Sequence, residues 1–416
     1  MASLMIGIDF YDTEVYVGLW AEDERCAKVF SVDNISDTDS PDRIPLFVCV
    51  DENGKYYAGH EGVDYSIKRQ TDGVSLLYGR NIKENVTVNG REYSVTDLLA
   101  GFLGEVLGAI KRHFGGASIA RLCLTGSRMN PVDEARLRRA LEIIEFPREQ
   151  AVIINHANAF AMYMLHMDED KRSKRAATID LDSNGAGIYA FIPYDTKTHA
   201  PSHVNNVDAS ENIPNGLDSI KDPEEQVKLF EEVVSTAISH NLPLTRLFVT
   251  GKSIENERIK GVLRKYASDN FRIFSGQNLY SSGACYMAVA EPSKEKTIFD
   301  GEVFHTISLE GYKDACIDAV ELIPAGTPLE KAKKKVDVIM DGTDDLVFHV
   351  TDQRNGNRSV CTFSPDDLQV RDNRTQRLEI SLRFLDVETL VVKVRDIGFG
   401  EIYPASFRVW EQVIQL

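Results

Sequence analysis

Short apolar runs alternate with turn residues at the start of the chain, a pattern typical of β-strands. The runs "IGIDF" and "EVYVGLW" predict two strands joined by the turn Tyr11-Asp12-Thr13, and residues 26–32 predict a third strand. Two further runs flank Asn53-Gly54, a dipeptide that favours a tight turn between antiparallel strands. We therefore expect a strand-rich N-terminal segment.

After the strand-rich segment, apolar residues recur at the spacing of an α-helix. Residues 95–114 carry leucine, phenylalanine, valine and isoleucine on one face. A second helix is expected after Asn130 as its N-cap, with Pro131 at its first position. Short buried strands are expected at residues 119–126 and 151–155, and the second leads into the apolar helix "HANAFAMYMLHM". This alternation of helices and strands is typical of an α/β domain.

The opening pattern of strand, aspartate, turn and strand returns at residues 176–192, in "AATIDLDSNGAGIYAFI". A helix with Asp222 as its cap and Pro223 at its first position comes next. A strand at 246–251 and helices at 255–267 and 281–290 complete this part of the chain. The repeated pattern predicts two similar lobes around a cleft.

From residue 299 the helical spacing stops, and strand-like runs recur with turn residues between them, including Asn355-Gly356. The predicted fold class is thus a two-lobed α/β domain followed by a C-terminal antiparallel β-sandwich. We expect lobe I at residues 1–176, a reduced lobe II at residues 177–298 and the sandwich at residues 299–416.

Composition narrows the class of protein. The 416 residues carry a formal charge of −17, which argues against a general binder of nucleic acid or of anionic membranes. No run approaches the ~20 apolar residues of a membrane span, and the N-terminus lacks the pattern of a signal peptide. The six cysteines are scattered, which favours reduced thiols over a disulfide framework. We therefore expect a cytoplasmic protein.

The motifs, taken in order, resemble those of the DnaK-type 70-kDa heat-shock chaperones, whose ATPase domain shares the actin and sugar-kinase fold. "IGIDFYDT" is similar to that family's first phosphate loop, IGIDLGTT, and "IDLDSNGAG" occupies the place of its second, DLGGGT. "VIINHANAFAMYML" resembles RIINEPTAAA, "FVTGKS" lies at the adenosine strand and "YSSGACYMAVA" at the helix that follows. "AVELIPAGTPLEKAKKK" resembles the start of the family's peptide-binding sandwich.

The resemblance implies ATP or ADP with Mg²⁺ between the two phosphate loops. Asp9 and Asp180 match the aspartates that hold the Mg²⁺ ion, and they are the candidates for catalytic and metal-binding residues; strand-end carboxylates that cap a turn are the structural alternative. The resemblance assigns the other nucleotide contacts to Tyr11, Asp12, Thr13, Asp182, Ser183, Asn184, Gly185, Gly251 and Lys252.

Other positions depart from the family pattern. The glycines that let a phosphate approach the backbone are replaced by Tyr11 in the first loop and by residues 182–184 in the second. Ser75 stands at the place of the family's lysine and His156 at that of its glutamate, on what we expect to be a loop facing the cleft, or else at a helix start. A carboxylate such as Asp12, ~5 Å from one phosphate charge, costs about 3 kcal/mol at an effective dielectric of ~20. Tight ATP binding is therefore not expected, and the protein has either a weakly bound nucleotide or none.

Three functions remain open. The first is a divergent heat-shock-70-like protein, a weak or non-hydrolysing nucleotide scaffold that binds other proteins. The second is a slow ATP-dependent chaperone, and the third is a purely structural or assembly protein.

In each case we expect a protein or peptide partner at the sandwich, and neither nucleic acid nor membrane. The loops near 310–317 and 341–345 are the expected contact points, and a basic or polar segment would suit their acidic residues, Glu310, Asp314, Asp341, Asp344 and Asp345. Solvated loops on a spacer domain are the alternative. The lysine-rich run 331–335 predicts a solvated strand edge.

Overall fold

A computed structural model describes residues 3–75, 77–79, 82–183, 185–209, 213, 215–241, 243–290, 297–313, 316–341, 343, 345–366, 368 and 374–416. By its contacts the chain divides into two compact units. The N-terminal unit comprises Met1–Pro193 with Val204–Ser293, and the C-terminal unit comprises Tyr194–His203 with Lys294–Leu416.

The first half of the N-terminal unit alternates short strands with helices. Its strands are β1 (Ser3–Phe10), β2 (Glu14–Ala21), β3 (Cys26–Val29), β4 (Arg43–Pro45), β5 (Val48–Val50), β6 (Tyr56–Ala58), β7 (Gly73–Val74), β8 (Asn85–Val88), β9 (Arg91–Ser94), β10 (Ser118–Gly126) and β11 (Ala151–Asn155). Its helices are α1 (Gly59–Arg69), α2 (Val95–His113), α3 (Pro131–Ile143), α4 (His156–Leu165) and α5 (Glu169–Arg172).

The second half adds a similar set of elements. The strands are β12 (Ala176–Asp182), β13 (Gly185–Ile192), β14 (Ser202–Asp208), β15 (Arg246–Thr250) and β16 (Arg272–Ser275), and the helices are α6 (Pro223–Ser239), α7 (Glu257–Tyr266) and α8 (Leu279–Val289).

The two larger sheets repeat one strand order. The first runs β11-β10-β1-β2-β3 and the second β16-β15-β12-β13-β14. In each, the opening hairpin is antiparallel and the next two strands join in parallel. The register repeats as well, because Asp9 lies opposite Thr125 and Asp180 opposite Thr250. The repeat therefore gives the two aspartates equivalent positions in their sheets.

Local signals explain where several elements begin. The Asn130 side chain accepts hydrogen bonds from the backbone N–H groups of Val132 and Asp133, with Pro131 first in α3. The Asp222 side chain caps α6 in the same way. At the predicted Asn53-Gly54 turn, β5 pairs with β6 in an antiparallel hairpin. These predictions are confirmed.

Helices α4 and α8 pack closely inside the N-terminal unit, and both carry residues of the candidate site. A Cβ atom on Gly283 of α8 would lie 1.9 Å from the carbonyl oxygen of Ala159 in α4. A Cβ atom on Gly7 of β1 would lie 2.2 Å from the backbone nitrogen of Cys285 in α8. Only glycine permits these approaches, which bring α4 and α8 together and α8 against β1.

The C-terminal unit is built from strands. They are β17 (Thr297–Ile298), β18 (His305–Lys313), β19 (Cys316–Ile323), β20 (Lys333–Met340), β21 (Leu346–Asp352), β22 (Arg358–Phe363), β23 (Gln376–Asp386), β24 (Thr389–Asp396) and β25 (Val409–Gln415). Strands β18–β25 form two antiparallel sheets, β19-β18-β21-β22 and β20-β23-β24-β25, whereas β17 pairs in parallel with Ser202 and His203 of β14, which belong to the same unit. Side chains of both sheets, such as Phe348 and Val392, share one hydrophobic core.

Several predicted boundaries were wrong. Most of the expected loop at 310–317 is strand, because β18 continues to Lys313 and β19 begins at Cys316, while Asp314 lies outside the described residues. The strand expected at 26–32 ends at Val29, and the helix expected from residue 255 begins at Glu257 after a 3₁₀ turn, Lys252–Glu255. Each error concerns an end of an element, where capping and tertiary contacts outweigh periodicity.

The other predicted loop, 341–345, does lie between β20 and β21, although Asp344 is outside the described residues. None of the helices described above combines the length and the hydrophobicity that a membrane-spanning helix needs.

Candidate functional site

The two strand-end carboxylates of the repeat, Asp9 and Asp180, are joined by one side chain. The Nε2 atom of His156 lies 2.6 Å from Oδ1 of Asp9, and its Nδ1 atom lies 2.7 Å from Oδ2 of Asp180. All three side chains are almost completely buried, at 0%, 0% and 1% exposure. The imidazole thereby links the two large sheets through the start of α4.

The position of His156 follows from the end of strand β11. Asn155 is the last residue of β11, and its side chain accepts a hydrogen bond from the backbone N–H of Asn158, which caps α4. His156 is therefore the first helical residue and is buried. The expectation of a loop facing the cleft was wrong, and the alternative of a helix start is confirmed.

Both ring nitrogens of His156 face carboxyl oxygens, a geometry that suits a doubly protonated imidazolium donating one hydrogen bond to each aspartate. Burial by itself lowers the pKa of His156, but the charges of Asp9 and Asp180 and the two hydrogen bonds outweigh it and raise the pKa to about 10. Burial raises the pKa of Asp9, and the positive charge of His156 opposes that shift. The raised pKa of His156 therefore favours an imidazolium between the two carboxyl groups at neutral pH.

Two tyrosines enclose the imidazolium. The ring of Tyr280, from α8, stacks on it with centroids 3.7 Å apart and planes 11° from parallel, a favourable geometry for a cation over an aromatic face. The Tyr11 ring lies 5.4 Å away, and its hydroxyl donates to Oδ1 of Asp180 at 3.1 Å. Burial and the charge of Asp180 raise the pKa of Tyr11 well above its usual range, which keeps that donor protonated.

The two aspartates differ in how completely they are satisfied. Oδ1 of Asp180 accepts a second hydrogen bond from the hydroxyl of Thr250 at 3.1 Å. Oδ2 of Asp9, in contrast, has no hydrogen-bond partner among the described residues. Asp180 is therefore the better anchored end of the bridge.

These residues do not fit the predicted Mg²⁺ site. Mg²⁺ prefers six oxygen ligands at about 2.0–2.1 Å and keeps several waters. Here a nitrogen base lies between the carboxylates, and each carboxylate already accepts a hydrogen bond from it. No cluster of three His, Cys, Asp or Glu side chains suited to a metal occurs in the described part of the chain.

The first predicted phosphate loop is closed by its own residues. The Tyr11 side chain is only 3% exposed and fills the space beside Asp180 that a glycine would leave open. The Asp12 carboxylate accepts a hydrogen bond from the hydroxyl of Ser183, which ties the first loop to the second. Thr13 is exposed, and its carbonyl accepts from the backbone N–H of Leu46.

The second loop is also neutralised internally. The guanidinium Nε of Arg128 lies 3.0 Å from Oδ2 of Asp182, with both side chains largely buried. Gly185 begins β13 at a φ of +140°, while the predicted contact Asn184 lies outside the described residues. The loop thus offers an ion pair where the resemblance implies glycine N–H groups.

Gly251 is held by packing. Its φ is +106°, and a Cβ atom there would lie 1.9 Å from the carbonyl oxygen of Leu181. Its N–H donates to Oε1 of Gln277, and its carbonyl accepts from Nε2 of the same side chain. The backbone of Lys252 starts the 3₁₀ turn that follows, and its side chain is outside the described part.

Sequence reasoning missed the residues that complete this arrangement. Tyr280, Thr250 and Arg128 were not among the predicted site residues, although Tyr280 opens the motif "YSSGACYMAVA". Ser75, at the place of the family's lysine, is exposed. The bridge has no exposed acid or base to offer a substrate, so its chemistry is electrostatic attachment of one sheet to the other.

Two family models match the chain in succession. The first, described as the C-terminal part of a family of unknown function (DUF5716), matches residues 33–301, and the second, described as a domain of unknown function (DUF8552), matches residues 302–416. No curated protein matches the sequence. The first match includes His156 and Asp180 and begins after Asp9.

Proposed function

The chain belongs to the family of unknown function DUF5716, C-terminal, and we propose that it is a heat-shock-70-like scaffold that binds other proteins without hydrolysing nucleotide. In this proposal the N-terminal unit is an actin-like ATPase fold that has lost its cofactor, and the C-terminal unit is a β-sandwich that meets the partner. The protein acts in the cytoplasm.

The bridge through His156 is the observation that carries this proposal. A nucleotide site of this kind needs a divalent cation between the two strand-end carboxylates and the phosphates. Here a side chain of the protein supplies the positive charge, 2.6 Å and 2.7 Å from the two carboxylates. The sheets are therefore joined without a bound ion.

The surroundings of the bridge also disfavour a polyphosphate. Tyr11 fills the first loop, and Asp12 adds a carboxylate that would cost about 3 kcal/mol at ~5 Å from a phosphate charge. Arg128 is already paired with Asp182 and buried. A phosphate chain would have to break that ion pair and the hydrogen bond between Ser183 and Asp12.

The repeated strand order supports the actin-like part of the proposal. Equivalent Asp–Thr pairs in the two sheets are what an internally duplicated α/β domain would contain. We propose the lobe boundaries given above, at 1–176 and 177–298, with the sandwich at 299–416. The sandwich is supported by two antiparallel sheets that share one core.

Calorimetric titration of the full chain with ATP and with ADP, each with Mg²⁺, tests the proposal. We expect no binding heat and no phosphate release above a buffer blank. Phosphate release well above the blank that Asp9→Asn abolishes would instead establish the slow ATPase. As a control, Lys174→Glu alters an exposed residue of the N-terminal unit and should change neither the binding heat nor the phosphate release.

A further inference from the structure

A shallow depression lies on the β20-β23-β24-β25 sheet, on the face opposite the core of the C-terminal unit. It has a volume of about 480 Å³. Strand alternation sends Val336, Leu382 and Val392 into the core, so the neighbouring side chains point to the other face. These include Lys333, Lys335, Ser381, Arg383, Val391 and Lys393, all of which line the depression.

The cations of this depression are poorly compensated within the chain. Lys333 lies directly opposite Arg383 across β20 and β23, and like charges in that position destabilise a sheet. Neither side chain has an ion-pair partner among the residues that the structure describes. Lys335 does pair with Glu379 at 2.6 Å, and Lys393 lies 3.9 Å from Glu411. Two exposed cations are therefore left free in a protein whose net charge is −17.

The lining of the depression also includes Lys334, Leu382 and Glu411, and an exposed valine, Val413, lies beside it. Val391 lies opposite Arg383, and Val413 lies opposite Val391 on the outer strand β25. Val391 is 3% exposed and Val413 is 59% exposed. One row of cross-strand neighbours therefore runs from two cations to two valines over three strand spacings, about 14 Å.

We infer that this depression binds an extended acidic polypeptide segment, in which carboxylates meet Lys333 and Arg383 and an aliphatic side chain covers the exposed Val413 beside the depression. The inference rests on the proposed function, in which the C-terminal unit binds a protein. The two unpaired cations favour a negatively charged ligand, and the exposed Val413 beside them favours a polypeptide over a polyphosphate. Among the described residues that line the depression none is aromatic, so a base would have no ring to stack on.

The test is fluorescence anisotropy of the full chain with a short labelled peptide of alternating glutamate and valine. A second peptide carries lysine in place of glutamate, and a single-stranded oligonucleotide is the third probe. Lys333→Glu and Arg383→Glu are the test variants, because either change turns the like-charge pair into an opposite-charge pair and preserves folding. Lys174→Glu is the control with the same change in net charge.

We expect the glutamate peptide to bind, and to bind about fivefold more weakly to either test variant but equally to Lys174→Glu. Binding should weaken as salt shortens the Debye length from about 10 Å at 0.1 M to about 3 Å at 1 M. The melting temperature of both test variants should not fall.

Equal affinity of the glutamate peptide for wild type and Lys333→Glu, or no binding of it at all, overturns the inference. Binding of the lysine peptide alone would also overturn it, yet would leave the proposed protein-binding function standing. An oligonucleotide that binds more tightly and depends on Lys333 would assign the depression to a polyphosphate instead. Failure of the proposed function itself would appear separately, as nucleotide binding in the calorimetric titration.

Discussion

Replacing His156 by alanine tests whether its imidazolium holds the two large sheets together. The side chain is fully buried, with nitrogens 2.6 Å and 2.7 Å from the carboxylates of Asp9 and Asp180. Its removal deletes two hydrogen bonds between charged groups, each worth about 1.5–3 kcal/mol, and leaves two buried carboxylates without their shared counter-charge. We expect the N-terminal unit to lose about 3–5 kcal/mol of unfolding free energy at pH 7.

The two tryptophans allow each unit to be followed separately. Trp20 is in β2 of the N-terminal unit, and Trp410 is in β25 of the C-terminal unit. In a Trp410→Phe background, urea unfolding followed by fluorescence reports the unit that contains the bridge. His113→Ala is the matched control, because His113 pairs with Asp33 at 2.8 Å on the surface. Loss of that exposed ion pair should lower the unfolding free energy by less than about 1 kcal/mol.

If His156→Ala loses no more unfolding free energy than His113→Ala, the reasoning is refuted. Adding Asp9→Asn and Asp180→Asn to His156→Ala separates charge from cavity, since the amides do not repel each other. Part of the lost stability should then return. If the triple variant is as unstable as the single one, the cavity and not the unpaired charge causes the loss.

Three further predictions concern the same region. Because the pKa of His156 rises from 6.5 to about 10 on folding, its contribution to stability is fully present below pH 6.5 and is lost as the pH rises through about 10. The unfolding free energy of the wild type, measured with urea, should therefore fall between pH 7 and 10. A His156→Ala variant whose unfolding free energy falls with the same slope would contradict this. Tyr11→Phe removes the donor to Asp180 and should cost about 1.5–3 kcal/mol by the same assay, so an unchanged urea midpoint would count against that hydrogen bond. Gly251→Ala should lower the melting temperature strongly, since its Cβ atom would lie 1.9 Å from a carbonyl oxygen. Gly54 is also at positive φ but has open space around it, so Gly54→Ala should cost only about 1–3 kcal/mol of backbone strain. Equal falls in melting temperature for the two variants would refute the packing argument.

Local chemistry made parts of the fold predictable. The caps at Asn130 and Asp222 were found because a side chain, its neighbouring proline and the backbone N–H groups it accepts from all lie within a few residues. The tight turn at Asn53-Gly54 is equally local, with Gly54 at a φ of +84°. The repeat of strand, aspartate, turn and strand pointed to two sheets with aspartates in equivalent positions.

The bridge was not predictable, because its parts come from distant segments. His156 is 147 residues from Asp9 in the sequence and 24 from Asp180, and no spacing rule relates them. A histidine at a helix start is usually solvated, and only the packing of α8 and Tyr280 over it produces complete burial. Arg128 likewise carries no signal in "TGSRMN" that identifies Asp182 as its partner.

Nitrogen-15 NMR of histidine-labelled protein tests the central claim most directly, namely that the imidazolium of His156 takes the place of a cation between Asp9 and Asp180. The His156 signals are assigned from their absence in His156→Ala. We predict that both ring nitrogens are protonated at pH 7, that they remain so at pH 9, and that added Mg²⁺ with ATP leaves their shifts unchanged. A neutral ring at pH 7, or signals that move when Mg²⁺ and ATP are added, would contradict the account.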